Sequence, residues 1–298
     1  MKSDLLCSAG LARRTVRVHS APHARRRSAV PNLVSGSTLG SHRDILGLPV
    51  CDLGWADTFA FAAAAAERPF GQSIVTFLDA DKANRMMRDA GYRAVLERQV
   101  VLPDGRGVDL ASFLLHGSGF PAKPTAAAFI PALFTYIARP MRIALIGGQP
   151  STLMQATERL RRHAPWHAFL PVSDSAFDPA RSDAVLERVR AAEADILLVA
   201  MDGPEQERWI DRHVGPGHAR LVLSAGNLFA TLLDEAPEAP RGVEKLRHEW
   251  LYRFLNDPAR ALRGRGADAL LLWHALRRKL SGRTRPRTVG RTAKAGLR

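Results

Sequence analysis

A chain of 298 residues, 46% hydrophobic, can bury a substantial core as one large domain or two smaller ones. Two cysteines, Cys7 and Cys51, exclude a disulfide framework or a cysteine metal site and point to a reducing compartment. No run reaches the roughly 18 uninterrupted apolar residues of a transmembrane helix; the nearest, at 124–138, is short and contains Pro131.

The net charge of +14 is carried by the ends. Residues 1–45 balance at +6 and 241–298 at +12, while 46–240 stand at −4. Such a distribution describes a mildly acidic body with basic appendages that face phosphate, lipid headgroups or nucleic acid. Residues 1–44 are rich in Arg, Ser and Ala and lack the apolar core of a secretory signal, so a basic disordered segment is expected, or a transit-like one.

From about residue 45 short apolar runs alternate with helical stretches. The runs at 73–78, 99–103, 142–148, 166–172, 195–201 and 219–226 show little alternation, as strands covered on both faces should. The spacing of Ala83, Met86, Met87, Tyr92 and Leu96 predicts a helix over 80–98, and 151–164 reads as another, capped by Ser151. The pattern predicts an α/β domain over 45–240 with a mainly parallel, Rossmann-like sheet flanked by helices.

After Pro240 the alternation stops, and 241–280 reads as a helical C-terminal appendage interrupted at Asn256–Pro258 and Gly264–Gly266. Its last helix, 267–280, clusters Leu270, Leu271, Trp273, Leu276 and Leu280 ahead of Arg277–Lys279. That composition suits the interface of an anionic membrane, and equally a packing helix with a solvated basic end. The basic tail 281–298 is expected to be disordered.

Ligands of open α/β sheets bind at the carboxyl ends of the strands, where several polar turns gather. "LPDGRG" puts Asp104, Gly105 and Gly107 after one strand, and "LIGGQP" puts Gly147 and Gly148 after another, where paired glycines let backbone N–H groups approach an anion. "MDGPEQERW" places Gln206 and Glu207 on a first helical turn, where Glu207 also suits a structural cap. "SAGNLF" brings Asn227 to a fourth strand end.

These motifs, in this order, resemble the glycosyltransferase family that includes the N-acetylmannosaminyltransferase of wall teichoic acid synthesis. The N-acetylmannosaminuronic acid transferase of enterobacterial common antigen and certain exopolysaccharide glycosyltransferases belong to it too. The resemblance runs through "TFLDADKAN" (76–84), "VLPDGRGVDLAS" (101–112), "ALIGGQP" (144–150), "DILLVAMDGPEQERWI" (195–210), "AGNLF" (225–229) and "HEWLYRFLNDPARALR" (248–263).

The resemblance implies Asp104 as general base, with Thr76 (or Phe77, counting back from Asp79) at the position of the family's threonine. It implies Asp79, Asn84, Gly105, Gly107, Gly147, Gly148, Gln206, Glu207 and Asn227 as substrate-binding. It also implies a reaction without metal or other cofactor, with Arg253, Arg260 and Arg263 of the appendage meeting the diphosphate. Guanidinium forks suit that task.

The chain departs from the family at Asp79 for asparagine and Asp81 for a frequent histidine. Lys123, Ala126 and Ala128 replace Arg, Gly and Asp, and Ala230 and Glu238 also differ.

The expected function is an inverting glycosyltransferase moving a sugar from a nucleotide donor, UDP-linked by resemblance, to a polyprenyl-diphosphate-linked acceptor in surface or exopolysaccharide synthesis. It would work in the cytoplasm against the inner face of the plasma membrane. The departures leave a second expectation, a catalytically altered relative that binds nucleotide, glycan or a partner protein. No nucleic-acid partner is expected, because Trp250, Tyr252, Phe254 and Trp273 are few for single-strand stacking and suit core packing.

Overall fold

The computed structural model describes residues 41–233 and 258–282, with side chains of the final helix described from residue 265. It opens with an antiparallel hairpin, β1 (His42–Ile45) and β2 (Leu48–Cys51), which sequence patterning did not reveal. The two-residue turn uses Leu46 and Gly47, with φ of 54° and 93°. Asp44 Oδ1 accepts from the Gly47 N–H at 2.7 Å. A leucine at positive φ is unusual, so the usual Asn-Gly signal of such a turn is missing.

Helix α1 (Trp55–Glu67) leads to a six-stranded sheet made of β3 (Ser73–Leu78), β4 (Val100–Pro103), β5 (Arg142–Gly147), β6 (Ala168–Ser173), β7 (Ile196–Ala200) and β8 (Leu221–Ser224). Their order is β4-β3-β8-β7-β5-β6 and every pairing is parallel. The six apolar runs of the sequence are these six strands, and the fold is α/β and Rossmann-like.

Successive side chains on a strand point to opposite faces, and here each face has its own core. Val75, Phe77, Val100, Leu102, Ile143, Leu145, Ile196, Leu198, Leu221 and Leu223 pack on one side. There they meet α1, α5 (Ala126–Tyr136), α6 (Pro150–His163) and α9 (Leu228–Leu233).

The opposite face holds two clusters. Ala144, Ile146, Leu197, Val199 and Val222 pack with α7 (Asp183–Ala191) and α8 (Glu205–His213). Leu78 and Val101 pack with the hairpin and with α2 (Ala80–Arg88), α3 (Ala90–Glu97), α4 (Gly105–His116) and α10 (Pro258–Leu280).

Three helical expectations change. The stretch 80–98 is two helices, because Asp89 leaves the helical region (φ −128°, ψ 96°) and its side chain accepts the Tyr92 N–H at 2.8 Å, capping α3. Gln149 holds the N-cap position of α6 without a side-chain bond and Pro150 opens its first turn, so Ser151 is already inside the helix. α10 runs unbroken from Pro258 through Gly264–Gly266 to Leu280.

The last helix also divides its apolar residues. Leu271 and Ala275 are fully buried against α2 and α4, so Leu271 belongs to the core and not to a membrane-facing stripe. Trp273, Leu276 and Leu280 remain 52%, 46% and 79% exposed. Among the described residues no helix is long and apolar enough to cross a membrane.

Candidate active site

The chain leaves β5 through α6 on one face and leaves β7 through α8 on the other, which opens a crevice at the carboxyl ends of these neighbouring strands. Beside it, where β3, β4 and β8 end, lies a cavity of 210 Å³. Its wall includes Phe77, Asp79, Lys82, Asp104, Ser224 and Asn227.

Asp104 stands at the N-cap position of α4, yet its carboxylate makes no bond to that helix. Its Oδ2 instead accepts a long bond, 3.4 Å, from the Ala126 N–H at the start of α5. Burial, then the neighbouring Asp79 carboxylate, pushes the Asp104 carboxyl up from 3.8 to about 6, against the pull of the Ala126 amide and Lys82. Gly105 sits at φ 80°, a conformation glycine adopts without strain.

Asp79 has a structural task as well, since its Oδ1 caps α2 by accepting the Lys82 N–H at 2.8 Å. Its neighbour Asp81 is raised by partial burial and by Asp79.

A buried polar cluster underlies the cavity, in the gap between the two apolar clusters of that face. Glu207 is fully buried and its Oε1 lies 2.8 Å from Lys82 Nζ. The same oxygen accepts from Ser224 Oγ at 2.9 Å and Gln206 Nε2 at 3.2 Å, while Oε2 accepts from the Tyr92 hydroxyl at 3.1 Å. Burial alone would raise the Glu207 carboxyl, but the Lys82 ammonium and these hydrogen bonds outweigh it and hold it below the usual value. Tyr92 is pushed up by its own burial and by Glu207.

Gln206 joins two strand ends, its Oε1 accepting from Met201 N at 2.7 Å and Gly226 N at 3.2 Å while its amide donates to Ser224. Glu207 is therefore the centre of a network, not an exposed helix cap. Lys82, Ser224 and Tyr92 complete that network and were not singled out as site residues from sequence. Lys82 sits three residues after Asp79, a cap-to-helix spacing that is the one signal in the sequence that could have found it.

The remaining residues implied by resemblance are dispersed. Thr76 is fully buried one layer down, its Oγ1 3.4 Å from both Ser224 Oγ and Lys82 Nζ. Asn84 faces α10, donating to the Ala267 carbonyl at 2.8 Å. Gly107 allows close packing of α4, since a Cβ there would run into the Asp268 carboxylate and approach Ala80. At Gly147, φ 120°, a Cβ would strike the Ala200 carbonyl. The Gly148 N–H donates to that same carbonyl at 3.1 Å, so it is spent on the sheet end and not offered to an anion.

Lys123 lies on the surface, 2.6 Å from Asp109 and 60% exposed. Ala126 lines the cavity. Arg253 and Glu238 lie outside the described residues, and Arg260 and Arg263 are on α10 before its side chains are described. Among the described residues no group of three or more His, Cys, Asp or Glu side chains is placed to hold a metal ion.

Comparison with known families adds one finding beside this geometry. The glycosyl transferase WecG/TagA/CpsF family model matches residues 43–285, so the chain belongs to this family of glycosyltransferases of cell-surface polysaccharide synthesis.

Proposed function

We propose that the protein is an inverting glycosyltransferase that moves a sugar from a UDP-linked donor to a polyprenyl-diphosphate-linked acceptor, with Asp104 as general base. The observation that carries this reading is the Asp104 carboxylate: free of its own helix, lining the cavity, and raised to about 6. A carboxylate with that affinity accepts a proton near neutrality and is ionised enough to do so.

In the proposed reaction Asp104 takes the proton of an acceptor hydroxyl as its oxygen bonds to the anomeric carbon. The bond from that carbon to the phosphate oxygen breaks on the opposite side, and its electron pair leaves with UDP. A volume of 210 Å³ is smaller than the roughly 300 Å³ at which pockets take drug-sized ligands, so it suits one sugar ring. The nucleotide then lies outside it along the strand ends, and Arg253, Arg260 and Arg263 meet the diphosphate.

Asp104→Asn should lower turnover by about 10²–10⁴-fold while leaving UDP affinity within a few-fold. The assay is mass-spectrometric transfer over a panel of UDP-sugars and polyprenyl-diphosphate glycans. Unchanged turnover in that variant would remove Asp104 from the role of base.

One observation favours a second reading, a relative that binds without turning over. Lys123 is engaged with Asp109 on the surface, and Ala128 supplies no carboxylate where the resemblance expects Asp. UDP binding with no transfer across the panel would support it.

A further inference from the structure

The Lys82–Glu207 pair has no part in the reaction just described, and its burial calls for a reason. Burying an ion pair costs desolvation that its attraction often fails to recover, and Lys82 is 14% exposed while Glu207 is not exposed at all. Glu207 already has three neutral donors in Tyr92, Ser224 and Gln206. Lys82, by contrast, is held at both ends: its backbone N–H by the Asp79 cap and its ammonium by Glu207 and, at 3.4 Å, Thr76.

This clamp removes the freedom of a four-carbon stem and fixes a positive charge in the wall of the cavity that Asp104 also lines. Lys82 is the one cation among the described residues of that wall. Lys123, where the resemblance expects an arginine, points its charge to the outer surface.

We infer that Lys82 supplies the positive charge of the Asp104 site, a positioning residue whose ammonium the buried Glu207 cluster clamps, throughout turnover, in the wall that the base also lines. The inference rests on the reading of Asp104 as base. The other charged group in the same wall is the Asp79 carboxylate, with Asp81 two residues on along α2; Asp268 on α10 is raised by burial and by Asp81 and Asp79, and Glu207 on α8 is paired with Lys82 itself. Without Lys82 the wall would hold negative charge alone, and burial and Asp79 would act on Asp104 opposed only by the Ala126 amide.

The test is a carbon-13 titration of aspartate carboxyls in the full chain, with the Asp104 signal identified from Asp104→Asn. In Lys82→Met the Asp104 midpoint should rise by about one pH unit, and in Lys82→Arg it should stay within about half a unit of wild type. Where transfer is measured, the acidic limb of kcat should move up with it, lowering turnover at pH 6 by up to about tenfold with KM little changed. A purely structural lysine would lower stability and leave the midpoint in place.

An Asp104 midpoint unmoved in Lys82→Met overturns the inference, and if that variant does not fold, Lys82→Gln is held to the same criterion. Absence of transfer in the wild-type protein would count against the glycosyltransferase reading, and the midpoint comparison would still decide the role of Lys82.

Discussion

An aspartate at a helix start ordinarily accepts an N–H from its own first turn, and Asp79 and Asp89 both do so here. Asp104 does not, and that difference has a thermodynamic signature. Its carboxyl is raised from 3.8 to about 6, so the fold favours the protonated form. The contribution to stability is fully present below pH 3.8 and is lost as pH rises through about 6. Across that gap the ionised carboxylate costs at most roughly 3 kcal/mol. Asp104→Asn should therefore stabilise the protein at pH 7.5 by up to that amount, with the gain fading towards pH 4. Urea unfolding at the two pH values checks this, and equal stability at pH 7.5 would mean that the site imposes no strain on its base.

At the scale of elements, α10 is both cover and core. Leu271 and Ala275 fill the seam against α2 and α4, and Asn84 ties α2 to the Ala267 carbonyl. Arg278 reaches Asp44 of the hairpin at 3.1 Å. Removing residues 264–298 would strip this seam together with any membrane contact, so truncation cannot separate the two roles. Point variants can. Leu271→Ala should cost about 2–5 kcal/mol by leaving a cavity, whereas Trp273→Ala on the exposed side should cost under about 0.5 kcal/mol. Denaturant midpoints of the two proteins give the comparison, and similar midpoints would contradict the packing described.

For the whole molecule, the outer side of α10 presents Trp273, Leu276 and Leu280 beside the exposed Arg277 and Lys279, within a segment of net charge +12. This combination of shallow apolar anchors and basic charge supports the proposal that the enzyme meets its lipid-linked acceptor at the inner face of the plasma membrane. Trp273→Ser, Leu276→Ser and Leu280→Ser together should weaken sedimentation with anionic vesicles at least about tenfold, with the fold intact by circular dichroism. Raising the salt should weaken the wild-type protein in the same direction. Unaltered sedimentation of the triple variant would exclude this helix as the anchor.

Apolar runs long enough for strands, spaced by helices, determined the α/β class and all six strands of the parallel sheet, because burial on both faces leaves a local imprint. The polar turns at the strand ends, and with them Asp104, were equally legible, since the topology of such a sheet dictates where ligands bind. The hairpin was not, because Leu46 carries no turn signal, nor was the break at Asp89, where one capping side chain outweighs a continuing helical pattern. The sequence also left Leu271 and Leu276 alike, and only the seam with α2 and α4 separates the buried one from the exposed one. The polar cluster lay furthest from view. Lys82, Tyr92, Gln206, Glu207 and Ser224 come from α2, α3, α8 and β8, and the parallel pairing of β3 with β8 sets Thr76 opposite Ser224. A network assembled across that many elements has no spacing in the chain, because its distances exist only once the sheet has formed.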